Sequence, residues 1–405
     1  MSSAVLNDKF MAIDRILEFA RDADKRLGRW RRPGRAALVN ARTPMNYAIV
    51  RPVLDAMRKD ERVEFYFTAS EQPSRVREIY REAGEGARLI TPLRASLMRF
   101  DAFITADLPW VNLPRGTRRV FMFHGVAGKY ANVYDSPDRS MREWDRLYFI
   151  NRRRMRNFIA SGAIDFDSPA ARLVGYPKLD CLVNGSLKRD EVLGSLGMDR
   201  GRQTVLYAPT WSPYSSLNAM GEELVKRLCA AGYAVIVKLH DRSRDPALVH
   251  SGGIDWVSRL QPILSQSAGH LASGSDASPY LAAADALITD HSSVGFEYLL
   301  LDRPLIRIEV PELIAATNIH SDYVSLMAEA ATSVRTAQQA VAAVERSLSD
   351  PLRKSASRKA VADDLFYRPG TATGRAVREL YEVLELSPIP ESSASDLVQT
   401  RAVES

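Results

Sequence analysis

Short apolar runs alternate with amphipathic segments along most of the chain. The runs predict buried strands, and the segments between them carry apolar residues at helical spacing. Strands that are apolar on both faces and alternate with helices are typical of a parallel sheet covered on each side. The predicted strands are Ala36–Asn40, Val63–Phe67, Ala87–Ile90, Ala102–Thr105, Arg119–Phe123, Leu147–Ile150, Thr204–Tyr207, Ala234–Lys238, Trp256–Val257 and Ala286–Thr289. The predicted helices are Met45–Met57, Ser74–Ala83, Leu93–Phe100, Gly221–Ala231, Ser278–Ala284, Ser293–Leu301 and Thr336–Leu348.

This alternation occurs twice, which predicts an α/β protein with two doubly wound, Rossmann-like halves. A glycine-punctuated stretch around Gly175–Gly201 joins them, so we place the halves at residues 36–200 and 201–370. Open α/β sheets bind ligands beyond the carboxyl ends of their strands, which predicts a site in the cleft between the halves. A last helix is expected over 371–386, and the polar, Ser-rich residues 387–405 are expected to be disordered.

Residues 1–35 predict an amphipathic helix with a basic end, because Lys and Arg crowd around Trp30. Residues 1–200 hold 36 Lys and Arg against 25 Asp and Glu, a net +11, whereas residues 201–405 hold 19 against 24, a net −5. An Arg-rich surface favours phosphates, whether of nucleic acid, anionic lipid or a phosphorylated polymer. The basic segment fits a solvated helix end or a contact with an anionic membrane surface equally well.

Composition and absent motifs exclude several functional classes. The chain has 405 residues, of which 46% are hydrophobic and 26% charged, so most of it is expected to fold. Its two cysteines, Cys181 and Cys229, cannot build a disulfide framework. The sequence predicts neither a signal peptide nor a membrane span. The chain lacks the P-loop, zinc-protease, serine-hydrolase and dinucleotide-binding motifs, and its two D-x-D triplets are read as surface charge rather than a metal site.

The segment that follows the strand Ala286–Thr289 carries the sharpest chemical signal. The strand delivers Asp290, His291, Ser292 and Ser293 to its carboxyl end, where an apolar helix begins. Free amides, the helix dipole and two hydroxyl groups would together form an anion site, which suggests a diphosphate cradle. The plainer alternative is that Ser292 only caps the helix.

Two histidines also end predicted strands, one in each half. His124, followed by Gly125, ends the strand Arg119–Phe123, and His240 ends Ala234–Lys238. Equivalent strand ends of the two halves would face one cleft, and an imidazole suits a general base near neutral pH, although a lone histidine is more often structural. Pro209, Thr210 and Trp211 end another strand, and Trp211 could stack on a base or simply pack. The basic and aromatic stretch Trp144–Phe158 alone would suggest nucleic acid, but we read it as a strand and a helix facing the cleft rim or a polyanionic acceptor.

Five blocks together resemble the CDP-glycerol glycerophosphotransferases, the family of teichoic-acid primases and polymerases. They are HG at His124, GYPKLD at Gly175, LYAPTW at Leu206, VKLH at Val237 and LITDHSSVGFEYLLLDRPLI at Leu287, in family order over roughly residues 36–385. The resemblance implies a GT-B fold whose last helix crosses back onto the first half. It also implies transfer of glycerol phosphate from CDP-glycerol to a hydroxyl of a lipid-linked or capsular glycan at the inner membrane face, with release of CMP.

The resemblance assigns roles to residues of this sequence. His124 would be the base on the acceptor hydroxyl, and His240 with Ser292 and Ser293 would hold the donor diphosphate. We include Asp290, His291 and Glu297 in the donor site and Gly125, Pro177, Asp180, Pro209, Thr210 and Trp211 in the cleft, with no obligatory metal and no nucleic-acid partner. The oligomeric state stays open.

The sequence departs from the family pattern at four positions. The family commonly has Tyr at His291, Asp at Glu297, Pro at Asp241 and Arg at Ser212. Asp241 is expected to raise the proton affinity of His240. These departures leave CDP-ribitol or another activated alcohol possible as donor. A GT-B glycosyltransferase, a UDP-sugar 2-epimerase and an inactive polyanion binder are the rival functions.

Overall fold

The computed structural model describes residues 34–108, 113–114, 116–130 and 139–389. Thirteen strands in these residues form two separate sheets, and every pairing is parallel. The first sheet has seven strands in the order β3-β2-β1-β4-β5-β6-β7, and the second has six in the order β10-β9-β8-β11-β12-β13. The strands are β1 Arg35–Asn40, β2 Val63–Thr68, β3 Arg88–Leu89, β4 Ala102–Thr105, β5 Arg118–Met122, β6 Arg146–Phe149, β7 Ala171–Leu173, β8 Thr204–Tyr207, β9 Ala234–Val237, β10 His270–Leu271, β11 Ala286–Thr289, β12 Leu305–Ile308 and β13 Thr332–Val334.

Helices cover both sheets. Within the described residues the α-helices are α1 Pro44–Met57, α2 Val76–Ile79, α3 Pro92–Leu97, α4 Arg152–Ala160, α5 Asp180–Val183, α6 Arg189–Ser195, α7 Glu222–Ala230, α8 Leu248–Ser251, α9 Trp256–Gln266, α10 Ser278–Ala283, α11 Val294–Tyr298, α12 Pro311–Thr317, α13 Ser321–Ala330, α14 Ala337–Ser349, α15 Ser355–Leu365 and α16 Ala372–Val383. Short 3₁₀ turns join several of them, and Leu217–Gly221 is a π-helical turn before α7.

The central strands explain why the sheets form at these residues. In β1 the side chain of Leu38 lies opposite Tyr66 and Phe103 of the neighbouring strands. It packs with them on one face, whereas Ala37 and Val39 belong to the cluster on the other face. Because successive side chains of a strand point to opposite faces, a run that is apolar throughout can be buried only between two layers of helices.

The predicted strands match the structure closely, with one exception. Ala102–Thr105, Thr204–Tyr207 and Ala286–Thr289 have the predicted bounds, and most others differ by one or two residues. The prediction of a strand at Trp256–Val257 is wrong, because these residues begin helix α9. The Asp255 side chain caps that helix by accepting from the Ser258 amide, and the helical spacing of Trp256, Leu260 and Leu264 buries them together.

Three other predicted segments also differ or fall outside the described residues. The segment predicted as a helix over Ser74–Ala83 is broken into α2 between two 3₁₀ turns. The short strands β7, β10, β12 and β13 are not predicted by the apolar pattern. The predicted N-terminal helix, up to residue 33, and residues 390–405 of the predicted tail lie outside the described residues.

The last helix packs on the first half of the chain although it follows the second half. Helix α16 contacts α1, and Tyr381 donates a hydrogen bond from its hydroxyl to the buried Asp60 carboxylate at 3.0 Å. Arg172 of β7 forms an ion pair with Glu379 at 2.9 Å. This return crossing joins the ends of the two halves and is the arrangement expected for a GT-B protein.

Asp180 of the GYPKLD block holds the start of α16. Its carboxylate accepts from the amides of Ala372 at 3.1 Å and Thr373 at 2.7 Å, so a residue 192 positions away caps the helix. Asp180 is buried behind the cleft, which corrects its expected place in the cleft wall. Helix α16 has no side-chain cap from its own preceding residue, Thr371.

Replacing Asp180 with Ala should therefore loosen α16. Two amides would lose their charged acceptor, and we expect a loss of about 1–3 kcal/mol in the free energy of unfolding. Hydrogen exchange of α16 and chemical denaturation would measure the loss. The control is Asp167→Ala, which removes an exposed carboxylate. Equal effects of the two replacements would contradict the capping role.

Candidate active site

A cavity of about 530 Å³ lies where the carboxyl ends of the two sheets face each other. The first half contributes residues that follow β4 and β5 and one face of helix α4, and the second half contributes residues that follow β8, β9 and β11. Its polar lining is Asp107, His124, Lys129, Tyr130, Arg154, Ser161, Thr210, Trp211, His240, Ser292 and Ser293. The cleft predicted from the alternation of strands and helices is therefore present and lined by both histidines.

His124 follows β5 at the wall formed by the first half. Its Nδ1 lies 2.7 Å from the carbonyl oxygen of Ala106, which can only accept, so Nδ1 carries the proton of the neutral ring. Nε2 is then left with its lone pair. Burial lowers the pKa of His124, an effect that the nearby Asp107 opposes. The side chain is thus neutral at pH 7 and able to accept a proton at Nε2.

His240 stands on the opposite wall with the reverse arrangement of its ring nitrogens. The Arg242 amide donates to its Nδ1 at 3.1 Å, so the neutral ring carries its proton on Nε2. Enclosure by the cavity walls lowers the pKa of His240 to about 4, and Lys238 and Arg242 act in the same direction. Asp241 does raise this pKa, as expected, but its effect is outweighed, so the ring is neutral rather than cationic at pH 7.

Ser292 and Ser293 reach the cavity from the turn between β11 and α11. The amides of Gly295 and Phe296 donate back to the carbonyls of Ser292 and Ser293, so these two amides are not available to an anion. The Ser293 side chain makes no capping hydrogen bond. The hydroxyl groups, more than the short helix, are therefore the donors that this turn offers.

Asp290 lies behind this wall rather than in it. Its carboxylate is fully buried and accepts from the Thr210 amide at 2.8 Å, the Ser216 amide at 3.1 Å and the Ser216 hydroxyl at 2.8 Å. It joins the turn after β11 to the turn after β8, so it positions Thr210. Pro209 is buried in the same turn and does not line the cavity.

Two cations also line the cavity, Lys129 and Arg154, and of these only Lys129 is not singled out by the sequence. The Lys129 amine donates to the Thr210 hydroxyl at 3.1 Å, and its burial lowers the pKa of Lys129 to about 8, an effect that Asp290 opposes. Arg154 is buried at the cavity side of α4. Arg154 belongs to the stretch Trp144–Phe158, whose helix is predicted to face the cleft rim. Lys129 follows His124 by five positions, and only the fold shows that it faces the cavity.

Gly125 and Trp211 lie in the cavity wall as predicted. A Cβ on Gly125 would meet only Arg154, at 3.9 Å, so the protein itself leaves room for a side chain there. The Arg242 guanidinium covers one side of the Trp211 ring at 4.3 Å from its centroid. His250 meets the same ring edge-on, at 5.9 Å between centroids. Trp211 is therefore held by its neighbours at the cavity rim.

Glu297 lies away from the cavity and forms a buried ion pair between the two halves. Its carboxylate is 3.0 Å from the Lys178 amine, and both side chains are at most 6% exposed. Burial lowers the pKa of Lys178, but attraction to Glu297, Tyr176 and Asp276 together with the hydrogen bond to Glu297 outweighs it, so the pKa is raised. Pro177 precedes Lys178 in the same buried turn. Neither Glu297 nor Pro177 lines the cavity, which corrects their expected place in the binding site.

His291 is also absent from the cavity wall. Its side chain is fully buried, and neither ring nitrogen has a hydrogen-bond partner among the described residues. Burial lowers the pKa of His291 to about 4, and Arg307 and Lys129 act in the same direction, against Asp290. Its carbonyl accepts from the Tyr323 hydroxyl at 3.2 Å.

The described residues contain no group of three or more His, Cys, Asp and Glu side chains placed to hold a metal ion. None of the helices in the same residues is both long and apolar enough to cross a lipid bilayer.

Comparison with known proteins adds a family and a fold. The profile of the family described as CDP-Glycerol:Poly(glycerophosphate) glycerophosphotransferase matches residues 49–382. Teichoic acid poly(glycerol phosphate) polymerases are similar in sequence: that of Staphylococcus epidermidis is 27% identical over 182 residues, 41% of this chain and 23% of the relative. That of Bacillus spizizenii is 26% identical over 224 residues, 49% of this chain and 52% of the relative. The matches thus span about a quarter and a half of the relatives' own lengths.

Solved structures show the same fold. A histidine-to-alanine variant of the wall teichoic acid polymerase TagF superposes with a TM-score of 0.67 at 14% identity, covering 95% of this chain and 99% of that one. A UDP-N-acetylglucosamine 2-epimerase gives a TM-score of 0.55 at 12% identity, covering 89% and 98%. The fold is therefore GT-B, as the sequence predicted.

The buried His291 should make the protein sensitive to acid. The unfolded chain binds a proton at this ring near the ordinary pKa of about 6.5, whereas the folded chain does so near 4. Between these values the unfolded state binds more protons, so the free energy of unfolding falls as pH falls. Between pH 7.5 and 5.0 the free energy of unfolding of His291→Phe should therefore fall by about 2 kcal/mol less than that of the unmodified protein, as measured by denaturant unfolding.

Tyr323→Phe is the matched control for this test. It removes the hydrogen bond to the His291 carbonyl without removing a group that titrates between these pH values. It should lower the free energy of unfolding equally at both pH values. A pH dependence of His291→Phe identical to that of the unmodified protein would contradict the assignment.

Proposed function

The chain belongs to the CDP-glycerol:poly(glycerophosphate) glycerophosphotransferase family, and from this premise we propose that it transfers glycerol phosphate from CDP-glycerol to an acceptor hydroxyl, releasing CMP. The acceptor is a lipid-linked or other glycan of the teichoic or capsular type. The observation that carries the proposal is the cavity between the halves, which places His124 and His240 on opposite walls with the two serines and two cations.

The two histidines suit opposite ends of a phosphoryl transfer. His124 offers an acceptor at Nε2, which would take the proton of the attacking hydroxyl. His240 offers a donor at Nε2, which would bind an oxygen of the donor diphosphate. The Nε2 atoms therefore have the two capacities that the reaction needs, one removing a proton and one stabilising negative charge.

The reaction forms one bond and breaks one. The acceptor oxygen attacks the phosphorus that carries glycerol, and the bond from this phosphorus to the oxygen bridging it to CMP breaks. The hydroxyl proton goes to His124, and CMP leaves with the bridging oxygen. Phosphoryl transfer depends mainly on positioning and on charge stabilisation. Lys129, Arg154 and the hydroxyls of Ser292 and Ser293 are the further groups placed to supply it.

We propose that the reaction needs no metal ion. Cations and neutral donors already face the cavity, so the developing charge on the phosphate oxygens has partners in the protein itself. Activity that persists in excess chelator would support this, and activity that requires added Mg²⁺ would contradict it.

Release of CMP from CDP-glycerol tests the activity directly. We expect His124→Gln to lower kcat by about 10²- to 10⁴-fold with little change in donor KM, because it removes only the general base. His270→Gln is the control, since His270 lies on β10, stacks on Tyr280 and does not line the cavity. His240→Asn should lose less activity than His240→Ala, because an amide still donates a hydrogen bond.

The same assay separates the rival functions. CDP-ribitol in place of CDP-glycerol tests the activated alcohol. Turnover of UDP-sugars with no CMP from either CDP-alditol would contradict the proposal in favour of a glycosyltransferase or an epimerase. Binding of polyanions without any turnover, unaltered by His124→Ala and His240→Ala, would favour an inactive binder.

We further propose that the protein works at the inner face of the cytoplasmic membrane, attached peripherally through basic residues near its N-terminus. Replacing Lys25, Arg26, Arg29, Arg31 and Arg32 by Gln should weaken sedimentation with liposomes that contain anionic lipid, as should added salt. Arg35 stays unchanged, because it forms an ion pair with Asp101 at 3.2 Å in the first sheet. If the variant and the unmodified protein sediment equally with these liposomes, the proposed membrane attachment is contradicted.

A further inference from the structure

A second cavity lies on the other side of helix α4 from the active site. It has a volume of about 300 Å³ and is lined by residues of α4 and the residue before it, by the end of α15 and by the residues that follow α15. Arg154 and Phe158, one turn apart, face the active site, whereas Arg152 and Arg156, also one turn apart, face the second cavity. One helix thus supplies guanidinium groups to two separate cavities.

The wall of this cavity is fixed in place by backbone hydrogen bonds. The Tyr367 amide donates to the Ile150 carbonyl at 3.2 Å, and the Asn151 side chain donates to the Leu365 carbonyl at 2.8 Å. The second bond is buried. Tyr367 is therefore held against the start of α4 from two directions, and its ring has a defined place between the two segments.

Three guanidinium groups gather around the Tyr367 ring. Arg152, Arg368 and Arg375 lie 5.1, 5.3 and 5.1 Å from its centroid. Arg375 is tied down by hydrogen bonds to the carbonyls of Val174, Tyr367 and Arg368 and to a threonine hydroxyl. Arg152 and Arg368 are exposed, and within the described residues neither has a carboxylate within 4 Å.

The charges around the cavity do not balance. Two carboxylates, Asp363 and Asp364, line it, but Asp364 already pairs with Arg153 at 2.8 Å. Guanidinium groups that share one ring repel each other, and a bound anion would relieve that repulsion. Arg368 also has a positive φ of 44°, a conformation that an arginine adopts at an energetic cost. Such strain persists where the surrounding structure holds the residue in place.

We propose that this cavity binds a phosphate group of the acceptor chain, outside the catalytic cavity. The inference rests on the proposed function for the identity of the chain, whereas the phosphate chemistry rests on the cavity itself. Guanidinium groups are always charged and hold phosphate oxygens with two parallel hydrogen bonds, and Arg152 and Arg368 are the two that remain available. A polymer with repeated phosphodiesters would occupy both cavities at once, with the phosphate in the second cavity anchoring the chain while its end reacts.

Binding of a short glycerol phosphate oligomer to the full chain, measured by calorimetry without CDP-glycerol, tests the anion site. The double variant Arg152→Gln, Arg368→Gln should weaken binding at least ~10-fold, because two charge-assisted contacts are lost. Asp363→Asn should tighten binding, because it removes a repelling carboxylate. Arg346→Gln, which removes one positive charge at the end of α14, should change little. Oligomer affinity that is equal for the double variant and the unmodified protein would overturn the proposal.

Inorganic phosphate and monomeric glycerol phosphate distinguish the source of the phosphate. If inorganic phosphate binds in this cavity as tightly as the oligomer, the acceptor-chain assignment is wrong. In the CMP assay the double variant should raise the KM for a long acceptor about 10-fold and leave a single-unit acceptor unaffected. If no protein releases CMP but the calorimetry follows the expected order, the proposed function fails and the anion site stands.

Discussion

A buried ion pair between Lys178 and Glu297 joins the two halves. Charges removed from water are tolerated only when partners compensate each other, and loss of one partner from such a pair costs about 3–5 kcal/mol. The same short turn carries Asp180, which caps α16. It also packs on α1. One block of six residues, GYPKLD, therefore fixes the second half and the last helix against the first half.

This arrangement gives the two cavity histidines different chemistry. Both follow the carboxyl end of a parallel strand, but the two strands hold different places in their sheets: β5 lies beyond β4, two strands from β1, whereas β9 lies beside β8 on the side away from β11. Their ring nitrogens are not equivalent, because His124 donates from Nδ1 to a carbonyl and His240 accepts at Nδ1 from an amide. The backbone around each ring thereby sets which one can take a proton and which one can offer one. Their places after strand ends bring both rings to the cleft. The neighbouring backbone group, a carbonyl at His124 and an amide at His240, decides which ring nitrogen carries the proton.

The sequence predicted the fold better than it predicted the site. Apolar strands buried on both faces leave a strong pattern, so nearly every central strand was found. The short strand β10, with two residues, leaves almost none. The prediction failed at Trp256 because two apolar residues fit a strand and the first turn of a helix equally well. Strand ends were located correctly, and hence so were His124, His240, Ser292 and Ser293.

Side-chain direction was the part that sequence could not supply. Asp290, His291 and Glu297 stand in the same block as the two serines, yet all three point into the protein and bind or pack against buried groups. A polar residue near a strand end can face either the ligand or the interior. The partners that decide this lie far away in the sequence: Ser216 is 74 positions from Asp290, and Lys178 is 119 positions from Glu297. Lys129 is the reverse case, since nothing in the sequence around it indicates that it faces the cavity.

The depressed pKa values in the cavity follow mainly from its enclosure. Enclosure by the cavity walls lowers the pKa of His240 to about 4, partial burial lowers that of Lys129 to about 8, and neighbouring cations add to the effect at His240. A diphosphate bound among these groups would carry the opposite charge and raise both values toward or beyond their ordinary range. Donor binding would then be coupled to proton uptake, and the cavity would be most cationic when the substrate is present. The same side chains would therefore be largely neutral in the free protein and would stabilise the phosphate charge in the complex.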